Sequence, residues 1–465
     1  MGKAPAAGYG AAEVVVVNPL HGPHSAAPAL EIELPLQAKG GASFAVMGFL
    51  CMLSDSPRGL MFPTLWPLVS SLGGTKASQG IIVAAFSFGR VLVSPVYGEA
   101  STRYGYRGVL ILAHVIILFG ALLFTRVNSL ATLFFAQVLL GIGCGTLGVT
   151  RAYVAESVPK AQRTVFLGRL TAMQYAGFTT TPFMGSLISK VGARLAPSAP
   201  QWLAVSGLTF VSYAVAAAAL VAIWLLKYRF VDLRQGDFQA MSAATARMPA
   251  ATDAPDRLVD LPDAATRRRE VGFMLAGLLL NVVTKGSIGC YETLGVVFAE
   301  VNLDLDGQAV GYVVSVCGAC GVIALLSFKP LARLFDDVEL MIYGILVMVL
   351  ACLLLVTGLR PKALAGDGTA LWATAIALMY AVGYPIGHTA VIGWFSKATG
   401  KRPQGMLMGL FASAGSLARI VFPICSGFLA QHHGMDAVFI ALSVLLGATL
   451  LIMTVHAQAF RDAIL

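Results

Sequence analysis

The chain has 465 residues, of which 57% are hydrophobic and only 12% are charged, whereas soluble domains carry about 25% charged residues. With a mean hydropathy of +0.78, this composition excludes a soluble globular protein and predicts a polytopic membrane protein. The formal net charge of +9 does not indicate nucleic-acid binding, because the basic residues lie mainly in short loops between apolar runs.

Apolar runs long enough to cross a bilayer recur along the chain. We predict twelve membrane-spanning helices, at residues 43 to 72, 78 to 101, 107 to 126, 129 to 157, 164 to 190, 201 to 228, 270 to 299, 308 to 334, 338 to 359, 369 to 396, 404 to 430 and 434 to 456. One long polar segment, residues 229 to 269, is rich in charge and contains scattered Pro, which predicts a flexible linker.

The linker divides the spans six and six. We therefore expect five segments: a disordered tail (1–42), an N-terminal six-helix bundle (43–228), the linker (229–269), a C-terminal six-helix bundle (270–456) and a short tail (457–465). Lys and Arg are more frequent in the short loops on the side of the linker and both termini. By the positive-inside rule, that side and both termini face the cytosol.

Short motifs recur at a nearly constant spacing in the two halves. GVT at 148–150 and GHT at 387–389 are 239 residues apart, and Gly168 recurs as Gly409 at a spacing of 241 residues. This repetition predicts a duplicated six-helix unit. Two parallel halves related by an axis along the membrane normal form the major facilitator architecture, in which the substrate site lies between the halves near the membrane midplane.

The segment GEASTRYGYR, residues 98–107, resembles the loop signature that the major facilitator superfamily carries between its second and third spans. Gly98, Gly105 and Arg107 match the signature, but Thr102 stands where the family has an acidic residue. Either Glu99 replaces that acid, or the loop locks the closed state differently.

Further motifs are similar to one branch of this superfamily, the branch that contains the lysosomal membrane protein linked to ceroid lipofuscinosis. The motifs are FPTLWP (62–67), VAAFSFGRVLVSPVYG (83–98), TRAYVAESVPKAQRT (150–164), YETLG (291–295), GYP (383–385) and the run from Phe395 to Pro423. The resemblance implies an all-α fold of twelve spans, a lysosomal, vacuolar or other endomembrane location, and movement of chloride or small solutes.

Charged residues inside the spans indicate functional sites, because each costs about 2.5 to 3.5 kcal/mol at the centre of a membrane helix. Asp55 and Arg58 lie three residues apart in the first span, so we expect them on one helix face, neutralising each other. Pro57, Pro63 and Pro67 surround them and predict a broken or bent helix. The alternative is a structural ion pair near a helix end.

The seventh span carries Lys285 and Glu292, which lie seven residues apart and thus almost on one helix stripe. The repeat aligns Glu292 with Ser56, next to Asp55, so that acidic groups recur at equivalent depth in both halves. A carboxylate in such a cavity suits proton coupling. Alternatively, Lys285 or Arg58 holds an anion, or Glu292 is simply solvated at the mouth of the cavity.

The later spans supply further candidates for the same cavity. Arg419, near the middle of the eleventh span, has a guanidinium suited to an anion, or serves as structural partner of Asp55 or Glu292. The repeat maps Gln174 and Tyr175 onto the neighbourhood of Arg419, where they would contribute neutral hydrogen-bonding groups. His388 in the tenth span either titrates near neutral pH or packs as a satisfied core residue.

A second set of charged residues is expected to form a cytosolic gating latch that breaks and re-forms as the halves rock. It comprises Gly98, Glu99, Arg103, Gly105, Arg107, Arg151, Glu156 and Arg163.

The leading functional hypothesis is a secondary transporter that moves a small solute or an anion by alternating access, with proton coupling left open. The alternative is a sensor or binding protein that keeps the fold without turnover. The sequence lacks a phosphate-binding loop, a nucleophile elbow and a metalloprotease motif, and CGAC at 317–320 indicates small-residue helix packing. We therefore expect no enzyme activity, cofactor, metal site or obligate protein partner.

Overall fold

The computed structural model describes residues 36–74, 76–198, 200, 206–232, 264–305, 307–356, 368–399 and 403–464. The regular structure within these ranges is entirely helical. Most of the predicted N-terminal tail and linker lies outside them. Helices nevertheless begin at Leu36, inside the predicted tail, and at Ala264, inside the predicted linker.

The described residues before the linker form seven α-helices. They are α1 (Leu36–Ser71), α2 (Lys76–Tyr104), α3 (Tyr106–Thr125), α4 (Leu130–Gly143), α5 (Leu147–Ser157), α6 (Arg163–Leu195) and α7 (Val211–Tyr228). A 3-10 turn at Cys144–Thr146 joins α4 to α5, and the two helices together correspond to one predicted span.

The described residues after the linker form eight further helices. They are α8 (Ala264–Asn302), α9 (Gly307–Leu326), α10 (Phe328–Leu334), α11 (Asp337–Leu355), α12 (Gly368–Ala377), α13 (Tyr384–Ala398), α14 (Gln404–Val455) and α15 (Ala457–Asp462). A π-helical turn at Leu378–Gly383 joins α12 to α13. Helix α14 covers both of the last two predicted spans. Gly434, with φ 82° and ψ 170°, breaks it into two segments that correspond to these spans.

Eight helices of the described chain are long and apolar enough to cross a membrane, or nine if α9 and α10, bent by 56°, count as one span. The other three predicted spans correspond to α1, to α6 and to the second segment of α14, which this count does not include as separate spans. The prediction of an all-α polytopic membrane protein is confirmed.

Helix α1 is continuous through its three prolines, so of the predicted break or bend the break is not found. Proline is tolerated in membrane helices because side chains and local adjustments satisfy the freed backbone groups. Close packing against α6 also supports α1. A Cβ on Gly177 would lie 2.4 Å from the Met52 carbonyl oxygen, and one on Gly185 would lie 2.1 Å from the Leu60 carbonyl oxygen. Glycine therefore lets the two backbones touch.

Glycines also bring the two halves together. A Cβ on Gly98 of α2 would lie 2.2 Å from the carbonyl oxygen of Gly405, and one on Gly148 of α5 would lie 2.7 Å from Cα of Gly409. Both partners belong to α14. These contacts lie towards the end of the bundle where α7 ends and α8 begins, which we call the linker end.

Candidate functional site

A buried carboxylate links three helices of the N-terminal half. Asp55 on α1 accepts hydrogen bonds from the Arg90 guanidinium on α2 and from the Gln174 amide on α6. Only 2% of Asp55 and 6% of Arg90 is exposed. The expected pairing of Asp55 with Arg58 is therefore corrected: Arg90 reaches the carboxylate from the neighbouring helix, and Arg58 forms no ion pair within the described residues.

Arg151 belongs to this network and not to the predicted latch. Its side chain is 1% exposed, and its Nη2 donates to the Gln174 side-chain oxygen at 3.0 Å. The Nε and Nη1 atoms find no hydrogen-bond acceptor among the residues that the structure describes. The physical reason for the correction is position along the helix: Arg151 lies six residues before Ser157, the last residue of α5, or about 9 Å deeper at 1.5 Å per residue.

The C-terminal half contributes a second pair of opposite charges. Arg419 on α14 donates to Glu292 on α8 at 3.2 Å, as the structural alternative for Arg419 anticipates. The two side chains are 12% and 15% exposed. The Arg419 guanidinium also lies over the Phe178 ring of α6, 5.8 Å from its centroid. This pair therefore contacts the N-terminal half.

Lys285 on α8 is 5% exposed and forms no ion pair within the described residues. A Cβ on Gly415 would lie 2.7 Å from Cδ of Lys285, so the absence of a side chain there makes room for the lysine. Its ammonium group lies within electrostatic range of Arg151, Arg419 and Asp55.

His388 and Tyr175 complete the predicted set in the interior. His388 shares a hydrogen bond with the Thr284 hydroxyl at 3.0 Å and stacks on Tyr384 with ring centroids 5.0 Å apart, but its Nε2 has no partner. Tyr175 donates across the halves to the carbonyl oxygen of Tyr380 at 3.2 Å.

The charged side chains from the two halves share one electrostatic environment. We call this group the central charge cluster. Among the described residues, five members are basic and two are acidic: Arg58, Arg90, Arg151, Lys285, Arg419, Asp55 and Glu292. The cluster therefore holds three more basic than acidic side chains, which is an environment suited to an anion.

The linker end is closed by a contact from Glu156 at the end of α5. The carboxylate accepts the Tyr106 hydroxyl at 2.5 Å within its own half, and the backbone N–H of Gln404 at 3.0 Å from the other half. Gln404 is the first residue of α14, where a carboxylate also interacts favourably with the helix dipole. Glu156 therefore provides an acidic contact between the two halves at the linker end.

A matching contact from the C-terminal half is made by Asp337 at the start of α11. It accepts Lys397 Nζ at 2.6 Å within its half, and the Thr164 hydroxyl at 2.9 Å from the first turn of α6. Thr164 and Gln404 are 240 residues apart, which is the spacing of the repeat. We call these two contacts the Glu156 latch and the Asp337 latch.

The remaining predicted gate residues make different contacts, and Arg163 is one that reaches the other half. Arg163 donates to the Ser396 carbonyl oxygen of the other half at 3.0 Å, as a gate residue should. Glu99 and Arg103 pair on the exposed face of α2, so Glu99 does not replace the missing acid. Arg107 donates to the Phe230 carbonyl oxygen.

Gly105 adopts φ 88°, a conformation that favours glycine, and lies against the Asp232 carboxylate. The same carboxylate accepts the backbone N–H groups of Tyr106 and Arg107, both at 3.1 Å. The start of the predicted linker is thus bound to the first turn of α3.

Three residues of the site were not predicted from sequence. Arg90 lies in the apolar second span and satisfies the same rule that selected Asp55. Lys397 and Asp337 were read as loop residues. The sequence feature that could have identified them is that each lies directly beside a predicted span.

Comparison with known proteins agrees with the helical membrane fold described above. The family model described as Major Facilitator Superfamily matches residues 44–423 and also 286–459. Major facilitator superfamily domain-containing protein 8 of Xenopus laevis is 22% identical over 473 residues, covering 87% of this chain and 89% of that protein.

Two solved structures share the fold. The human organic anion transporter MFSD10 superimposes with a TM-score of 0.66 at 17% identity, covering 89% of this chain and 99% of that one. The proton:xylose symporter XylE gives a TM-score of 0.66 at 15% identity, covering 90% and 95%.

Proposed function

Because the chain belongs to the major facilitator superfamily, we propose that it is a secondary transporter of an organic anion that works by alternating access. The predicted fold, two six-helix halves of this superfamily, is confirmed, and the superfamily consists of transporters and not of enzymes. The substrate class rests on the site.

The observation that carries the proposal is that basic side chains outnumber acidic ones by three in the central charge cluster. Removing a charge from water is costly unless an opposite charge compensates it. Asp55 compensates Arg90, and Glu292 compensates Arg419. The remaining basic side chains, Arg58, Arg151 and Lys285, can then bind a negatively charged substrate. A neutral sugar would leave the surplus of basic side chains uncompensated.

Alternating access requires a gate that can open at each end in turn. The Glu156 and Asp337 latches join the halves at the linker end, so the structure corresponds to the state that is shut on that side. We assign the linker end to the cytosol from the excess of Lys and Arg in its loops. Opening to the cytosol then requires both latches to break.

A non-transporting sensor would be favoured if the acid missing at Thr102 had no replacement. Glu156 of α5 binds the first residue of α14 and so provides an acidic contact at this gate, which argues against a gate disabled by the missing acid. Transport is therefore the better-supported function.

The test is flux in proteoliposomes that contain the purified chain. We expect uptake of labelled organic anions and none of labelled xylose, with Arg151→Gln raising the KM for the anion by about tenfold or more, which corresponds to ~1.4 kcal/mol, because Arg151 is buried and forms no ion pair within the described residues. Arg169→Gln serves as the matched control, because Arg169 lies on the exposed face of α6 and outside the cluster. Binding of anions without any flux would favour the sensor, and uptake of xylose alone would overturn the anion proposal.

The membrane and the energy source are separate proposals. The motifs shared with the lysosomal branch of the family support an endomembrane location, such as the lysosome or vacuole, and a fluorescent fusion that labels only the plasma membrane would contradict it. Proton coupling is proposed to act through Glu292, the more exposed of the two carboxylates.

A further inference from the structure

Two cations of the central charge cluster are buried and form no ion pair within the described part of the chain. Arg151 is 1% exposed, with Nε and Nη1 unpartnered, and Lys285 is 5% exposed. Arg90 and Arg419 differ from them because each holds a carboxylate. Arg58 differs as well, because its side chain is only partly buried.

The two uncompensated cations come from opposite halves. Arg151 lies on α5 and donates to Gln174, while Lys285 lies on α8 next to Thr284. A chain of contacts joins them across the halves: Tyr175, next to Gln174, packs on Tyr384 with ring centroids 6.2 Å apart, Tyr384 stacks on His388, and His388 shares a hydrogen bond with Thr284. Two buried like charges repel each other, and both have lost their water. A ligand with one negative charge would compensate one of them and leave the other.

The neighbouring groups fit a polar ligand at the same place. His388 Nε2 is buried without a partner and lies within electrostatic range of both cations. The ring of Tyr384 stacks on His388 and provides an apolar wall, since most of the tyrosine surface is hydrocarbon. The site therefore offers charge from both halves and a surface for a short carbon chain between them.

We propose that Arg151 and Lys285 form a two-sided subsite that binds a dianion, with one negative group on each half of the transporter. This inference rests on the proposed function and adds the charge of the substrate. A ligand held by both halves at once stabilises the state in which they are close together, so binding is coupled to closure of the cavity.

The experiment compares linear dicarboxylates of graded chain length with their own monomethyl esters, which have nearly the same shape and one charge fewer. Binding to the purified full chain and uptake into proteoliposomes are both measured. We expect the best dicarboxylate to bind at least about tenfold more tightly than its ester, a difference of ~1.4 kcal/mol. Lys285→Gln should abolish this ratio while the ester still binds, and Lys285→Arg should restore it.

Failure of the inference can be told apart from failure of the proposed function. If the esters are transported as well as the dicarboxylates by the wild-type chain, the protein is an anion transporter without a dianion subsite. If no anion binds at all, the proposed function itself is wrong. The wild-type ratio decides the question even if Lys285→Gln does not fold, and Arg169→Gln should leave the ratio unchanged.

Discussion

The Glu156 carboxylate of α5 accepts the backbone N–H of Gln404 at 3.0 Å and thereby joins the end of one half to the first residue of α14 in the other. Asp337 accepts the Thr164 hydroxyl in the corresponding place. The gate is thus pseudo-twofold in geometry, but it uses a Tyr–Glu pair in one half and a Lys–Asp pair in the other.

Removing the Glu156 latch should open the linker end. A hydrogen bond to a charged group contributes about 1.5 to 3 kcal/mol, so Glu156→Ala should shift the closed-to-open ratio by roughly one to two orders of magnitude. Spin labels at Tyr104 and Leu334, exposed residues of opposite halves, would report the shift as a longer distance. Glu99→Ala is the control, because Glu99 pairs only along the surface of α2. An unchanged distance in Glu156→Ala would contradict the latch.

The Asp337 latch offers a second perturbation. Thr164→Val keeps the shape of the side chain but removes its donor, so Asp337 retains only Lys397. Because the lost hydrogen bond also ends on a carboxylate, we expect the open state to gain about 1.5 to 3 kcal/mol relative to the closed state, measured with the same labels. If the two latches act together, the double variant should open further than either single variant does.

Backbone contact between the halves can be tested with glycine. Gly98→Ala places a methyl group 2.2 Å from the Gly405 carbonyl oxygen, an atom that cannot move without α14. We expect the linker end to open and the apparent melting temperature of the closed form to fall. Gly80→Ala in the same helix meets nothing within 4 Å and should be neutral or stabilising by up to ~1 kcal/mol. Equal behaviour of the two variants would show that the contact is unimportant.

The pair of Asp55 and Arg90 should be costly to break from one side. Arg90→Met leaves the buried carboxylate with the Gln174 amide alone and is expected to lower stability by about 3 to 5 kcal/mol. The double variant Asp55→Leu/Arg90→Met removes both charges and should recover most of the loss in thermal unfolding, although transport should remain impaired. If the double variant is less stable than the single one, the pair is not the cause.

Proton coupling through Glu292 predicts a loss of pH-gradient dependence in Glu292→Gln. Neutralising Glu292 mimics the protonated state and frees Arg419 from its partner. Exchange of labelled for unlabelled anion should continue, whereas uptake driven by a proton gradient should stop. Asp55→Asn provides the comparison in the other half. Gradient-driven uptake that survives in both variants would exclude coupling through these carboxylates.

The architecture could be predicted from hydropathy and the repeat, because both act over tens of residues. The repeat also predicts that Asp55 and Glu292 lie at equivalent depth in the two halves, which stays a prediction; each carboxylate is bound to an arginine, Asp55 to Arg90 and Glu292 to Arg419. The partner of Asp55 could not be predicted. Helix periodicity shows which residues share a face of one helix, but it does not show that Arg90, 35 residues away on the next helix, contacts Asp55. Arg151 was misplaced for a related reason: proximity to a loop in sequence does not give depth in the membrane.

The hydrogen bonds of Asp232 change where the N-terminal half ends as a folding unit. A fragment that stops at Tyr228, the last residue of α7, would lack the buried Phe230 side chain and both hydrogen bonds to the first turn of α3. A fragment that runs through Asp232 retains them. We therefore expect separately expressed halves to reassemble into a working transporter only when the first half runs through Asp232.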